Sequence, residues 1–267
     1  MKSRKYTILF SLLAYTAALT GQETTISETL PAKLKINSIT VEPAVMEFNF
    51  GRDYRQLRVT GQLESGQIAD LTRMRSVPNT PQHVQISTDG IVTPISIGQE
   101  TVTLQFGKYS ATLAITVKAL EQTTSSFIND VQPILAKMGC NAGTCHGSKD
   151  GKNGFKLSLR GYDPLYDHRA LTDDIGARRF NRAAPDQSLL LLKAIGAIPH
   201  VGGVRTTIDS RYYSIVRDWI TQGGRLDLDT QKATSIEIFP KNPIIPRAGM
   251  KQQISVLATY PDGSIRD

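Results

Sequence analysis

The sequence predicts a multidomain chain: an antiparallel β-sandwich, then an all-α segment, then the start of a second sandwich. Three observations lead there. Over residues 36–118, apolar and polar residues alternate in short runs spaced about ten residues apart, with turn signals between them. Over residues 127–226 the period becomes helical, interrupted by glycine-rich loops. From residue 234 the strand pattern returns as a copy of the first. A length of 267 residues accommodates one large domain or two to three small ones.

Residues 1–21 read as a signal peptide. Lys2, Arg4 and Lys5 precede an apolar stretch from Ile8 to Leu19, and small or polar residues follow it. The stretch is shorter than the roughly 20 residues that cross a bilayer, with an uncleaved anchor as the alternative. No cysteine follows it, which excludes a lipid anchor. The expected location is extracytoplasmic, in the periplasm or at the cell surface, with no membrane span after cleavage. Setting those three cations aside lowers the basic count from 31 to 28 against 24 acidic residues. So balanced a chain gives nucleic acid little to hold.

In residues 36–118 the strands are Ile39–Val41, Gln56–Thr60, Val84–Ile86, Thr101–Phe106 and Thr112–Val117. Ser65-Gly66, Asp89-Gly90, Gly98 and Gly107-Lys108 mark turns, a spacing typical of sandwiches. A polar linker occupies residues 119–126. Beyond it, Phe127, Val131, Ile134, Leu135 and Met138 share one helical face, with Ser125 or Ser126 as cap. A second helix covers Ser188–Ile195 and closes at Gly196. A third carries Tyr212, Ile215, Val216, Trp219 and Ile220, capped by Asp209 and stopped by Gly223-Gly224. Three short helices leave about a hundred residues with little core unless something else fills the middle.

Residues 233–267 repeat residues 36–70 without a gap. Ser38, Ile39, Pro43, Gln56, Val59, Gly66, Ile68 and Asp70 recur as identical residues. Residues 234–267 thus read as an incomplete second domain with open sheet edges and an exposed apolar face. This predicts that the chain is an N-terminal part of a larger protein.

Both cysteines fall in Cys140-Asn-Ala-Gly-Thr-Cys145-His146. C-x-x-C-H is the signature of covalent haem attachment, and here the spacing is C-x4-C-H. Two thiols add to the two vinyl groups at one haem edge, and the histidine after the second cysteine ligates the iron. The Cys145-His146 step fixes one thioether and the proximal ligand together. Cys140 has only to reach the other vinyl, so two extra small residues can bulge outward. A Cys140–Cys145 disulfide and a zinc site are the other readings, the latter lacking a fourth ligand. The flanking helices and glycine-rich loop favour one covalent haem c, and a haem would also supply the missing core.

Residues 127–226 resemble the planctomycete-type cytochrome c domain. The resemblance rests on Phe127-x3-Val131-x-Pro133-Ile-Leu135, on the Cys140–Gly147 motif with its longer spacing, and on Gly154-Phe155-x-Leu157-Ser158-Leu159-x-Gly161-Tyr162-Asp163-Pro164. It continues through Ser188–Leu192, Pro199-His200-x-Gly202-Gly203 and Trp219-Ile220-x2-Gly223. Residues 36–118 resemble the bacterial immunoglobulin-like group 2 domain, chiefly in Ser87-Thr-Asp89-Gly90-Ile-Val92 and Gly98-x2-Thr101-Val102-Thr103. The implied fold is an immunoglobulin-like sandwich, an all-α cytochrome c-like haem domain, and part of a second sandwich. In such proteins further large C-terminal domains follow.

Small cytochromes use methionine as the distal ligand, but Met138 is the one methionine of this segment and its helical phase reads as core. His200, in a proline–glycine loop between the last two helices, is the expected distal ligand. His168, among charges, reads as a surface residue, and His83 as structural or exposed. Arg160, Arg205 and the Arg178-Arg179 pair are candidates for neutralising haem propionates. Gly147–Gly154 lacks phosphate-loop spacing, and no catalytic constellation is visible. The expected function is electron transfer with an unidentified redox partner protein. The rivals are adhesion to cell-surface polysaccharide or protein through the β-sandwich, and a redox subunit serving a catalytic domain beyond residue 267.

Overall fold

The computed structural model describes residues 28–121 and 123–267. The expected signal peptide lies outside them. Residues 36–118 form β1 (Ile36–Glu42), β2 (Val45–Phe48), β3 (Arg55–Gln56), β4 (Arg58–Leu63), β5 (Ile68–Asp70), β6 (Val84–Ile86), β7 (Ile91–Pro94), β8 (Gly98–Phe106) and β9 (Tyr109–Val117). β1, β4 and β5 pair antiparallel, as do β3, β7 and β6. β9 lies between antiparallel β8 and parallel β2. Alternation turns Val102, Leu104, Leu113, Ile115 and Val117 inward onto Phe48, Leu57, Val59 and Leu71. The expected all-antiparallel pattern is therefore broken at β2, which leaves the sheet of β1 within two residues and pairs with β9 instead.

In the next segment the Ser126 hydroxyl accepts a hydrogen bond from Asn129 N–H at 2.8 Å, capping a π-helical turn over Phe127–Val131. The turn runs into α1 (Gln132–Lys137). Then follow α2 (Pro164–Thr172), α3 (Asp174–Ala177), α4 (Leu189–Ala194) and α5 (Arg211–Thr221). α2 comes in addition to the three helices that the sequence predicts: Asp163 caps it, accepting from Tyr166 N–H at 3.0 Å, with Pro164 at its first position. Ser210, not Asp209, caps α5.

This segment is not the all-α cytochrome c-like domain that the sequence leads one to expect. The chain is mostly β, with thirteen strands among the described residues against five α-helices, none longer than eleven residues. Glycines in the left-handed conformation, including Gly139, Gly196 and Gly223, stop the helices after one to three turns. Between them the chain is irregular. The segment also carries its own core, correcting the expectation that a bound group must supply one: Trp219 is 1% exposed and packs against Phe127 and Phe180, each with ring centres 5.2 Å away.

Beyond it lie β10 (Ser235–Phe239), β11 (Pro243–Ile244), β12 (Ser255–Thr259) and β13 (Ile265–Arg266). β10–β12–β13 repeats the pairing of β1–β4–β5 with the same polarity. β11 departs from the repeat and joins β5 in parallel, as the fourth strand of the first sheet. Buried Asp70 secures this junction by accepting from Gln253 N–H at 2.7 Å and from Arg73 at 3.0 Å. Ile236, Ile238 and Ile265 are exposed.

Candidate functional site

The motif begins where α1 ends. Gly139, at φ 78°, turns the chain, and Cys140 N–H donates to Leu135 O at 2.8 Å. Cys145 N–H then returns to Ala142 O at 2.9 Å and His146 N–H to Cys140 O at 3.0 Å. These turns place both cysteines and His146 along one wall of a cavity of about 720 Å³, within the roughly 300–1,000 Å³ range of ligand pockets. Gly147 has no room for a side chain, because a Cβ there stands 2.0 Å from the Asn141 carbonyl oxygen. Both thiols are free. Burial pushes the Cys140 thiol up to about 11, so it is protonated at neutral pH.

His200 comes to the same cavity from the loop after α4. Its ring lies parallel to that of His146 within 6°, with centres 6.4 Å apart. His146 Nδ1 is 3.1 Å from Phe155 O, and His200 Nδ1 is 2.9 Å from Gly203 O. A carbonyl oxygen only accepts, so each neutral ring carries its proton on Nδ1 and its lone pair on Nε2. This is the arrangement that second-sphere carbonyls impose on ligating histidines. Burial lowers the pKa of His146 below the ordinary imidazole value, which favours the neutral ring.

Among the described residues, five cationic side chains line the cavity, Lys152, Arg178, Arg179, Lys193 and Arg205, and no carboxylate does. Arg179 is committed elsewhere: buried, it donates to Ala170 O and Gly154 O and lies over the Phe155 ring at 4.3 Å. Lys193 donates to Pro199 O. Arg205 reaches to 4.0 Å from Cys145 Sγ, while Arg178 is exposed. Arg160 is not among the lining residues.

His168 is not the solvated residue expected. It is half-buried, with Nε2 2.7 Å from Gly224 O and its ring edge against Phe127 and Trp219. Met138 and Trp219 are core residues. His83 holds Ser96 Oγ at 2.9 Å inside the sandwich. Phe155 and Lys152 were missed as site residues. Their signal was the Asn153-Gly154 step, which turns the chain so that Lys152 and Phe155 pair and the Phe155 carbonyl meets His146.

Among the described residues no group of three or more His, Cys, Asp or Glu side chains stands together so as to hold a metal ion. The zinc reading has no such group behind it among the described residues. Together with the low helix content, this absence also corrects the expectation of a metal-binding cytochrome c domain. No helix among the described residues is long and apolar enough to cross a membrane. No family model matches the chain, and no curated protein matches it. Among solved structures, domains 1–6 of the surface layer protein SbsC align with 37% of this chain at 17% identity and a TM-score of 0.28. The chain spans 15% of that protein, and so loose a likeness carries no argument about fold or function.

Proposed function

We propose that the chain is an exported electron-transfer protein that would carry one covalent haem c, held through thioethers by Cys140 and Cys145, with His146 and His200 as the residues that would ligate its iron. One observation carries this reading: two parallel imidazoles, each with Nδ1 tied to a carbonyl, stand 6.4 Å apart in the cavity that holds both thiols. A macrocycle brings four nitrogens of its own, so two protein ligands suffice where no three-residue group exists. When bound, the group supplies a one-electron couple, and histidine in place of methionine lowers its potential.

The chain's own residues do the rest. Phe155 O and Gly203 O orient the two rings. Arg178 and Arg205 offer positive charge to the group's carboxylates, and the cavity wall opposes them with no acid. Leu157, Leu189 and Leu190 keep part of the wall apolar. The reading takes residues 1–21 as an export signal, with the work outside the cytoplasm and partner proteins as donor and acceptor.

The test is an absorption spectrum of protein matured in a host that attaches haem c, before and after acid–acetone extraction. Haem should stay with the wild type and leave a Cys140→Ala, Cys145→Ala double variant. Protein that emerges without haem contradicts the reading.

A further inference from the structure

The two copies of the repeat meet at equivalent positions. Glu42 and Arg58 face each other across β1 and β4, and Phe239 and Ser255 face each other across β10 and β12. The match of residues 36–70 to 233–267 carries the first pair onto the second. Where the copies touch, the Arg58 guanidinium lies over the Phe239 ring at 5.2 Å. Side chains directly opposite in antiparallel strands leave the same face of a sheet. The Ser255 side chain therefore stands beside the ring that Arg58 covers. Arg58 is 3% exposed and Ser255 0%.

Arg58 donates from Nη2 to Glu42 at 3.2 Å, but the Glu42 side chain is 44% exposed and meets that nitrogen alone. Among the described residues, Arg58 Nε, Arg58 Nη1 and Ser255 Oγ have no hydrogen-bond partner. A buried charge so incompletely matched is destabilising, and each buried polar atom without a partner calls for a group that meets it. The chemistry of the three atoms narrows that group. The guanidinium nitrogens only donate and the hydroxyl can donate too, so the group accepts. The guanidinium is positive, which favours an anion, and the depth of burial admits only a small one. A water molecule would bring two hydrogens of its own, and of the three atoms only Ser255 Oγ could accept one.

We infer that Arg58 and Ser255 form a binding site for a halide ion, chloride in size, where the two copies of the repeat meet. The ion accepts from the guanidinium and from the Ser255 hydroxyl. Arg58 belongs to the first copy and Ser255 to the second, so the ion bridges them, and its binding stabilises the arrangement in which they are docked. The site shares no residue with the cavity around Cys140 and His200.

The experiment is thermal unfolding of the full chain as sodium gluconate is exchanged for sodium chloride at constant ionic strength. It compares the wild type with Ser255→Ala, Arg58→Met and an Arg178→Gln, Arg205→Gln double variant. The wild type should gain melting temperature saturably with chloride. Ser255→Ala should need about tenfold more chloride for half the gain, and Arg58→Met should show no gain. The double variant, altered only at the cavity, should respond as the wild type does. Ser255→Ala carries the test should Arg58→Met fail to fold. A wild type indifferent to chloride overturns the site. So does a gain with the same midpoint in the wild type and Ser255→Ala, which is a general salt effect. A gain lost in the double variant places the anion in the cavity instead and overturns the site as well.

Discussion

His146 and Phe155 meet twice: the imidazole Nδ1 lies 3.1 Å from the Phe155 carbonyl oxygen, and the two rings sit with centres 4.5 Å apart. The carbonyl sets which nitrogen keeps the proton, and the phenyl ring limits how far the imidazole can rotate. Arg179, over the other contacts of Phe155, completes the support at 4.3 Å.

Replacing Phe155 with alanine keeps the carbonyl and removes the ring. The side chain is only half-buried, so the cost falls below that of a fully buried phenylalanine, at about 2 kcal/mol. Urea unfolding should show a lower midpoint at unchanged slope. The loaded protein should also show a broadened absorption band, as His146 loses its fixed orientation.

Gly147→Ala places a methyl 2.0 Å from a backbone oxygen that has no freedom to yield. The Cys145–Gly147 turn has to open, at a cost of about 3 kcal/mol. Thermal unfolding should register it, and haem incorporation should fall with it. An unchanged melting temperature contradicts the tight turn described here.

Asp130 accepts from Ser126 N–H at 2.8 Å, yet burial outweighs that bond and raises its pKa above the ordinary 3.8. The folded state then holds the proton to higher pH than the unfolded chain does. The stability this contributes is complete below the unfolded value and is lost as pH rises through the folded one. Asp130→Asn should flatten that part of the stability–pH curve, measured as urea midpoints from about pH 4 upward.

Arg178 and Arg205 supply positive charge to a wall without acids. Changing both to glutamine removes charge that favours the electron-rich form of a bound redox group. The midpoint potential in a spectroscopic titration should fall, with haem still covalently attached. A potential that does not move places both side chains too far from the group to matter.

The strands with clean alternation were legible in the sequence: β8 and β9 extend the Thr101–Phe106 and Thr112–Val117 runs. β2, β5 and β7 were not: runs of three or four residues carry little period, and of these short strands β6 alone, at Val84–Ile86, was read. The repeat was visible as identities, and the same pairings recur in β10–β12–β13. The departure of β11 into the first sheet left no trace, because two residues pairing across a long separation have no local signature. Cys140, Cys145 and His146 are neighbours in the sequence, whereas His200 joins them in lining one cavity only through the fold. The all-α reading failed because helical periodicity says nothing about how soon a left-handed glycine ends a helix. His168 was misread since its charged neighbours, Asp167 and Arg169, hid its contacts with Phe127 and Trp219.

The most direct test of the His146–His200 pair is electron paramagnetic resonance of the oxidised, haem-loaded chain. Two imidazoles with planes parallel to within 6° predict a low-spin rhombic signal in the wild type and a high-spin signal in His200→Ala. A wild type that is already high-spin, or that holds no haem, contradicts the pairing of these two residues across one iron.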